Sequence, residues 1–125
     1  MEAKAAVLQG LNSGHLSLRE VHEIFREDFD VVHAAVSNHG AELQYAAPSL
    51  QADAAIVKQA VKQRGRALQF AHESLRADAE VVLLAVQQCG VALKWASIDL
   101  RRDRKIVAAA VAEVGDALEF AHEEL

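Results

Sequence analysis

Four stretches of this chain repeat nearly the same residues at a constant interval of 25: GAELQYAAPSLQAD from Gly40, GRALQFAHESLRAD from Gly65, GVALKWASIDLRRD from Gly90 and GDALEFAHEEL from Gly115. A repeat without drift restricts the fold more than any other feature. Every copy must take the same local structure and meet its neighbour in the same way. Asp28, Asp53, Asp78 and Asp103 fall in one column, and Ala-Val recurs at 35–36, 60–61, 85–86 and 110–111. Leucine recurs at Leu43, Leu68, Leu93 and Leu118, and again at Leu50, Leu75, Leu100 and Leu125. An aromatic followed by alanine recurs at Tyr45, Phe70, Trp95 and Phe120. A degenerate copy precedes these: Val7, Leu11, Leu18 and Phe25 stand in the phases of Val32, Val36, Leu43 and Leu50, Gly14 is one residue early, and Ala3 replaces the aspartate.

Each column has a physical reading. The aspartate precedes an apolar pair and is expected to cap a helix, its carboxylate accepting from free N–H groups of the first turn. Val31, Val32, Ala35 and Val36 then lie on one arc of a helix of about three turns. Gly40, Gly65, Gly90 and Gly115 are expected to end that helix as C′ residues with positive φ. A shorter second helix carries the leucine and the aromatic, and Pro48 suggests a 3₁₀ turn over 48–51 and its copies. No single unit can bury its apolar side alone, whereas stacked units can. The expected fold is all-α: a right- or left-handed α-solenoid of about five helix-turn-helix units, with 1–27 as a degenerate repeat or cap and 28–52, 53–77, 78–102 and 103–125 as repeats of one domain. At roughly 10 Å per helical layer it would form a rod about 50 Å long.

Composition agrees. Alanine supplies 25 of the 125 residues, which suits short, closely packed helices. The net charge of -5 disfavours general nucleic-acid or anionic-membrane binding. No run of 18 apolar residues marks a transmembrane segment, and MEAKAAVLQGLNSG does not read as a secretory signal. Cys89 is the single cysteine, so no internal disulfide is expected. The expected setting is intracellular or organellar, soluble or peripheral.

The pattern Asp, Val-Val or Ile-Val, Ala-Val, Gly, Ala-Leu, aromatic-Ala and Leu followed by a basic residue and Asp, clearest in DAEVVLLAVQQCGVALKWASIDLRRD, resembles the repeats grouped as "domain of unknown function 4116". The resemblance covers residues 28 to 125. It implies tandem helical arrays and carries no catalytic motif.

No constellation of catalytic or metal-binding residues stands out. His33 and His39 do not share a helix face; His15 and His22 could align but lack a third ligand; His72 and His122 fill a column that holds Ala47 and Ser97 elsewhere. Cys89 has no evident base beside it. The aspartates recur because every unit needs a cap, and the aromatic column reads as core. No cofactor and no metal is therefore expected, and no enzymatic activity.

Function is better sought in columns that differ. Unit 53–77 carries Lys58, Lys62, Arg64, Arg66 and Arg76 against Asp53 and Glu73, for a charge of +3, and residues 103–125 carry -4. Lys58, Lys62, Arg64 and Arg66 are the candidate charged patch. In unit 78–102, Leu83, Leu84, Val91 and Ile98 replace mostly polar or small residues of the other copies, and they are the candidate partner-binding residues. They could equally fill a local groove between helices. The chain stops at Leu125, where a further unit would start; the run Glu119 to Glu124 is expected to cap that end, unless another protein covers it or the array once continued. The expected function is a non-catalytic module for protein–protein interaction or scaffolding. The alternative is a small structural subunit of a larger complex; an enzyme or ligand-binding domain is the third class.

Overall fold

The computed structural model describes residues 2–21 and 23–113. Every regular element among them is helical: α1 (Glu2–Asn12), α2 (Glu23–Arg26), α3 (Phe29–Asn38), α4 (Pro48–Gln51), α5 (Ala54–Gln63), α6 (Glu73–Arg76), α7 (Ala79–Gln88), α8 (Ile98–Arg101) and α9 (Arg104–Glu113), with 3₁₀ helices η1 (Leu18–Glu20), η2 (Gly40–Tyr45), η3 (Gly65–Phe70) and η4 (Gly90–Trp95). Three elements recur in register with the sequence: a long α-helix, a 3₁₀ helix and a single α-turn. Residues His22, Gly115, Leu118, Phe120, His122 and Leu125, and the run Glu119 to Glu124, lie outside the described residues.

The long helices α3, α5, α7 and α9 each begin where an aspartate accepts from the first turn. The Val31 N–H reaches the Asp28 carboxylate at 3.2 Å, and the N–H groups of Ala55, Glu80 and Lys105 reach Asp53, Asp78 and Asp103 at 2.9 Å. The helix ends differently from the sequence expectation. His39, Arg64 and Cys89 close α3, α5 and α7 with extended φ of -140°, -151° and -152°. Gly40, Gly65 and Gly90 have no positive φ, so they are not left-handed caps. Gly40 and Gly65 serve close approach instead. A Cβ on Gly40 would overlap the Ala60 carbonyl oxygen of the next long helix, and one on Gly65 would overlap that of Ala85. The same glycines donate across the boundary, Gly40 N–H to Gln63 Oε1 and Gly65 N–H to Gln88 Oε1.

The helix types after the glycine are also interchanged relative to expectation. The second helix is 3₁₀, and Pro48–Gln51 is one turn of α-helix. The reason is spacing. Gly65, Leu68 and Ala71 are all buried and three residues apart, as are Gly40, Leu43 and Ala46, and Gly90, Leu93 and Ala96. A helix with three residues per turn places such residues on one line; an α-helix would rotate them apart. Pro48 then sits at the first position of its turn, where a missing N–H costs nothing, and the Ala52 N–H closes it onto the Pro48 carbonyl at 3.2 Å.

The helices pack consecutively. α1, α3, α5, α7 and α9 lie against one another in chain order, as do η2, η3 and η4, and each of α5, α7 and α9 also covers the 3₁₀ helix before it. Between them runs one core column after column: Val31, Val32 and Val36; Ile56, Val57 and Val61; Val81, Val82 and Val86, with Leu43, Leu68 and Leu93. Backbone bonds also cross each boundary: Ala47 N–H to Arg26 O at 3.0 Å, His72 N–H to Gln51 O and Ser97 N–H to Arg76 O, both at 2.9 Å. At the N-terminus, Lys4 bridges Asp28 at 3.0 Å and Asp30 at 3.2 Å. Its ammonium holds the Asp28 carboxyl below the usual aspartate range, and these carboxylates raise Lys4 in turn. Asn38 Nδ2 donates to the Leu11 carbonyl at 2.6 Å, a second tie of α1 to α3. Among the described residues, no helix is long and apolar enough to cross a membrane.

Two substitutions separate these roles. Gly65→Ala should destabilise the fold by about 1–3 kcal/mol, because the added methyl meets backbone that cannot swing aside. A thermal melt unchanged from the parent would reject the close-approach role. Asp78→Ala should cost about 1 kcal/mol as a lost helix cap. An unaltered urea midpoint would show that the cap contributes nothing.

Candidate functional site

The residues singled out by sequence disperse over several elements. Leu83 and Leu84 lie on α7, both half-buried against the core. Leu83 lines a cleft of about 270 Å³ between α7 and α9 with Glu80, Asp103 and Ile106. Val91 is half-buried in η4. Ile98, first residue of α8, differs: it is 62% exposed. On α5, Lys58 and Lys62 are one turn apart; Lys58 pairs with Glu80 at 2.9 Å and Lys62 is exposed. Arg64 follows α5 and Arg66 lies on η3, both exposed. Arg64 lines a different cleft, with Arg19, His39 and Glu42. The basic residues thus occupy three consecutive stretches of one unit, and one of them is already matched by an acid of the next.

The histidines have local tasks. His33 stacks on Phe29 with centroids 5.7 Å apart, and His15 Nδ1 meets Ser13 Oγ at 2.9 Å. His72 caps α6, accepting from the Ser74 N–H at 3.1 Å. Cys89 is half-buried at the end of α7. Among the described residues, no three of His, Cys, Asp and Glu gather closely enough to hold a metal ion.

The aromatic column is where the sequence reading needs correction. Tyr45, Phe70 and Trp95 are not fully enclosed; they are half-buried and pack against the core from its edge. Trp95 lines a cleft of about 480 Å³ with Arg76, Glu73, His72, Ala96 and Ser97. Tyr45 lines a cleft of about 360 Å³ with Arg26, Glu23, Ala46, Ala47 and Pro48. Column by column these are the same site two periods apart. Each is built from the short α-turn of one unit and the aromatic-alanine corner of the next. Its floor contains the boundary bond, Ser97 N–H to Arg76 O in one and Ala47 N–H to Arg26 O in the other.

The long polar side chain at the floor is used differently from copy to copy. Arg26 Nε donates to the Leu18 carbonyl at 3.0 Å and its Nη2 to the Arg19 carbonyl at 2.8 Å. Gln51 Nε2 donates to the Leu43 carbonyl at 3.0 Å. Arg76 Nε is buried and has no hydrogen-bond partner among the described residues. Lys94 adds a cation 4.8 Å from the centroid of the Trp95 ring. The signal in the sequence was the pairing of two columns, the aromatic-alanine step and the Arg26, Gln51, Arg76 position twenty-odd residues earlier; read singly, neither points to a surface cleft.

Neither the curated proteins nor the solved structures contain a match to this chain. A family model described as domain of unknown function (DUF4116) matches it twice in tandem, over residues 28–76 and 78–125, each stretch spanning about two of the periods described above. With nearly the whole chain after the first copy matched, this protein belongs to the DUF4116 family.

Proposed function

We propose that the chain is a non-catalytic α-solenoid that binds another protein along the row of clefts between successive units. About five units, the first of them the degenerate copy at 1–27, form one domain in this reading. Consecutive packing supports the linear stack: each long helix packs on the one before it, and backbone bonds between the short turns recur in register at the boundaries. Among the described residues, every substantial contact between elements joins the same or adjacent units. In such an array shared columns hold the fold and the outer positions are free to vary, which is how repeat proteins make extended binding surfaces.

The observation that carries the binding reading is the recurrence of one cleft, half-walled by an aromatic ring, at equivalent places two periods apart. Beside the larger cleft stands Ile98, a β-branched side chain 62% exposed where the other copies hold proline or glutamate. An apolar anchor next to a ring and a polar rim is the anatomy of a protein contact.

Two measurements test this reading. Small-angle scattering of the purified chain should give a radius of gyration above the roughly 14 Å of a compact domain of this length. A value at or below that would reject the linear stack. Ile98→Asp should leave the melting temperature nearly unchanged, since exposed positions shift stability by only about 0.5 kcal/mol. In affinity capture from the native source it should lose a partner that the parent chain retains. Identical captured proteins for both would remove this surface from the function.

A further inference from the structure

We infer that the cleft between α6 and the η4–α8 corner binds a carboxylate carried on an apolar protein segment, with Arg76 as its ion-pairing group and Trp95 as its apolar wall. The inference rests on the interaction-module reading and names the chemistry this cleft selects.

The argument is a comparison within the molecule. Three copies of the floor position are described in detail, and two of them satisfy themselves. Arg26 gives its guanidinium to the carbonyls of Leu18 and Arg19. Gln51 gives its amide to the Leu43 carbonyl and, at 3.4 Å, to that of Gln44. Arg76 makes no such bond: its Nε is shut off from water and has no acceptor among the described residues. A buried donor left without a partner is costly, and folded proteins rarely keep one without a reason. That Nε is closed to an incoming group, so a carboxylate would meet the two outer nitrogens of the guanidinium, whose N–H donors form a flat fork that fits it.

The surroundings agree in sign and polarity. Arg76 lines the cleft, Lys94 lies over the ring that walls it, and Glu73 is the one carboxylate among its lining residues. Arg76 and Glu73 are the charged residues among those described in the lining, so an incoming anion is favoured on the Arg76 side of the cleft. The His72 ring is already engaged with Ser74, its Nδ1 2.9 Å from the Ser74 hydroxyl. Apolar surface comes from Trp95, Ala77 and Ala96, with Ile98 exposed next in chain to Ser97. An acidic side chain flanked by an apolar one matches both halves. A protein segment fits better than a lone small acid because the cleft lies open at a unit boundary, with its equivalent further along the same row.

Trp95 is the single tryptophan of the chain, so its fluorescence reports this cleft and no other. The probes are a capped hexapeptide with one glutamate between leucines, its glutamine twin, and acetate alone. The glutamate peptide should shift or quench Trp95 emission and bind about tenfold more tightly than the glutamine twin, as a charge-assisted hydrogen bond predicts. Added salt should weaken it. Arg76→Gln should erase the preference while keeping the fold, since the chain already carries Gln51 at the equivalent position. Equal affinity for the two peptides, a preference that survives Arg76→Gln, or no response of Trp95 to either peptide overturns the inference. Acetate binding as tightly as the peptide overturns it too, in favour of a small-anion site. None of these results bears on the Ile98→Asp capture experiment, which decides the interaction reading by itself.

Discussion

Backbone meets backbone at the glycines, and the rest of the architecture follows from that contact. The Cα of Gly40 lies so near the Ala60 carbonyl, and that of Gly65 so near the Ala85 carbonyl, that no side chain fits between. Such proximity sets how far one unit stands from the next. It also brings Gly N–H groups within reach of Gln63 and Gln88, so the donors that begin η2 and η3 are satisfied by the neighbouring unit. Long helices at that separation must present small or β-branched residues to one another, and the fully buried valines and alanines of α3, α5 and α7 do so. The repeat period is thus a packing requirement before it is anything else: a unit that lost the glycine would push its neighbour away and open the core on both sides.

Much of this was legible in the sequence, and the part that was not has a clear physical source. The capping aspartates, the apolar arc from Val31 to Val36 and the all-helical composition follow from local rules that act within one turn. The glycine was assigned the commonest local role, a left-handed cap, because sequence alone shows the residue before it and after it but not the carbonyl it faces in the next unit. The 3₁₀ helix was missed for a related reason. Gly-x-x-Leu-x-x-Ala has a period of three, and that spacing was visible in the repeats; it loses to the more frequent α-helix unless the tight line of buried atoms it makes is known. Tertiary contact decided both cases.

The candidate site was less legible still. Columns that differ between units drew attention to Leu83, Leu84, Val91 and Ile98, yet only Ile98 is substantially exposed. Leu83 instead is half-buried at the seam between α7 and α9, where it lines a cleft with Ile106. A hydrophobic substitution in a variable column cannot be sorted into seam or surface without the rotation of the helix that bears it. The aromatic column misled in the opposite direction. Its constancy reads as core, but a half-buried ring packed against the core is just as constant and still lines a cleft at Tyr45 and Trp95. The cleft itself combines residues from two units, so no single-unit reading contains it.

Separating fold from recognition in this way has an energetic consequence. Core and boundary contacts use the long helices, the 3₁₀ line and the backbone bonds at Ala47, His72 and Ser97. The floor position is a transition between the two sets. Where Arg26 and Gln51 hold a 3₁₀ carbonyl, they reinforce the boundary. Where Arg76 does not, the boundary keeps its backbone bond and the guanidinium is left oriented but unpartnered. One column can therefore brace the boundary at Arg26 and Gln51 and leave a donor unmatched at Arg76, without any change to the backbone bond that closes each boundary.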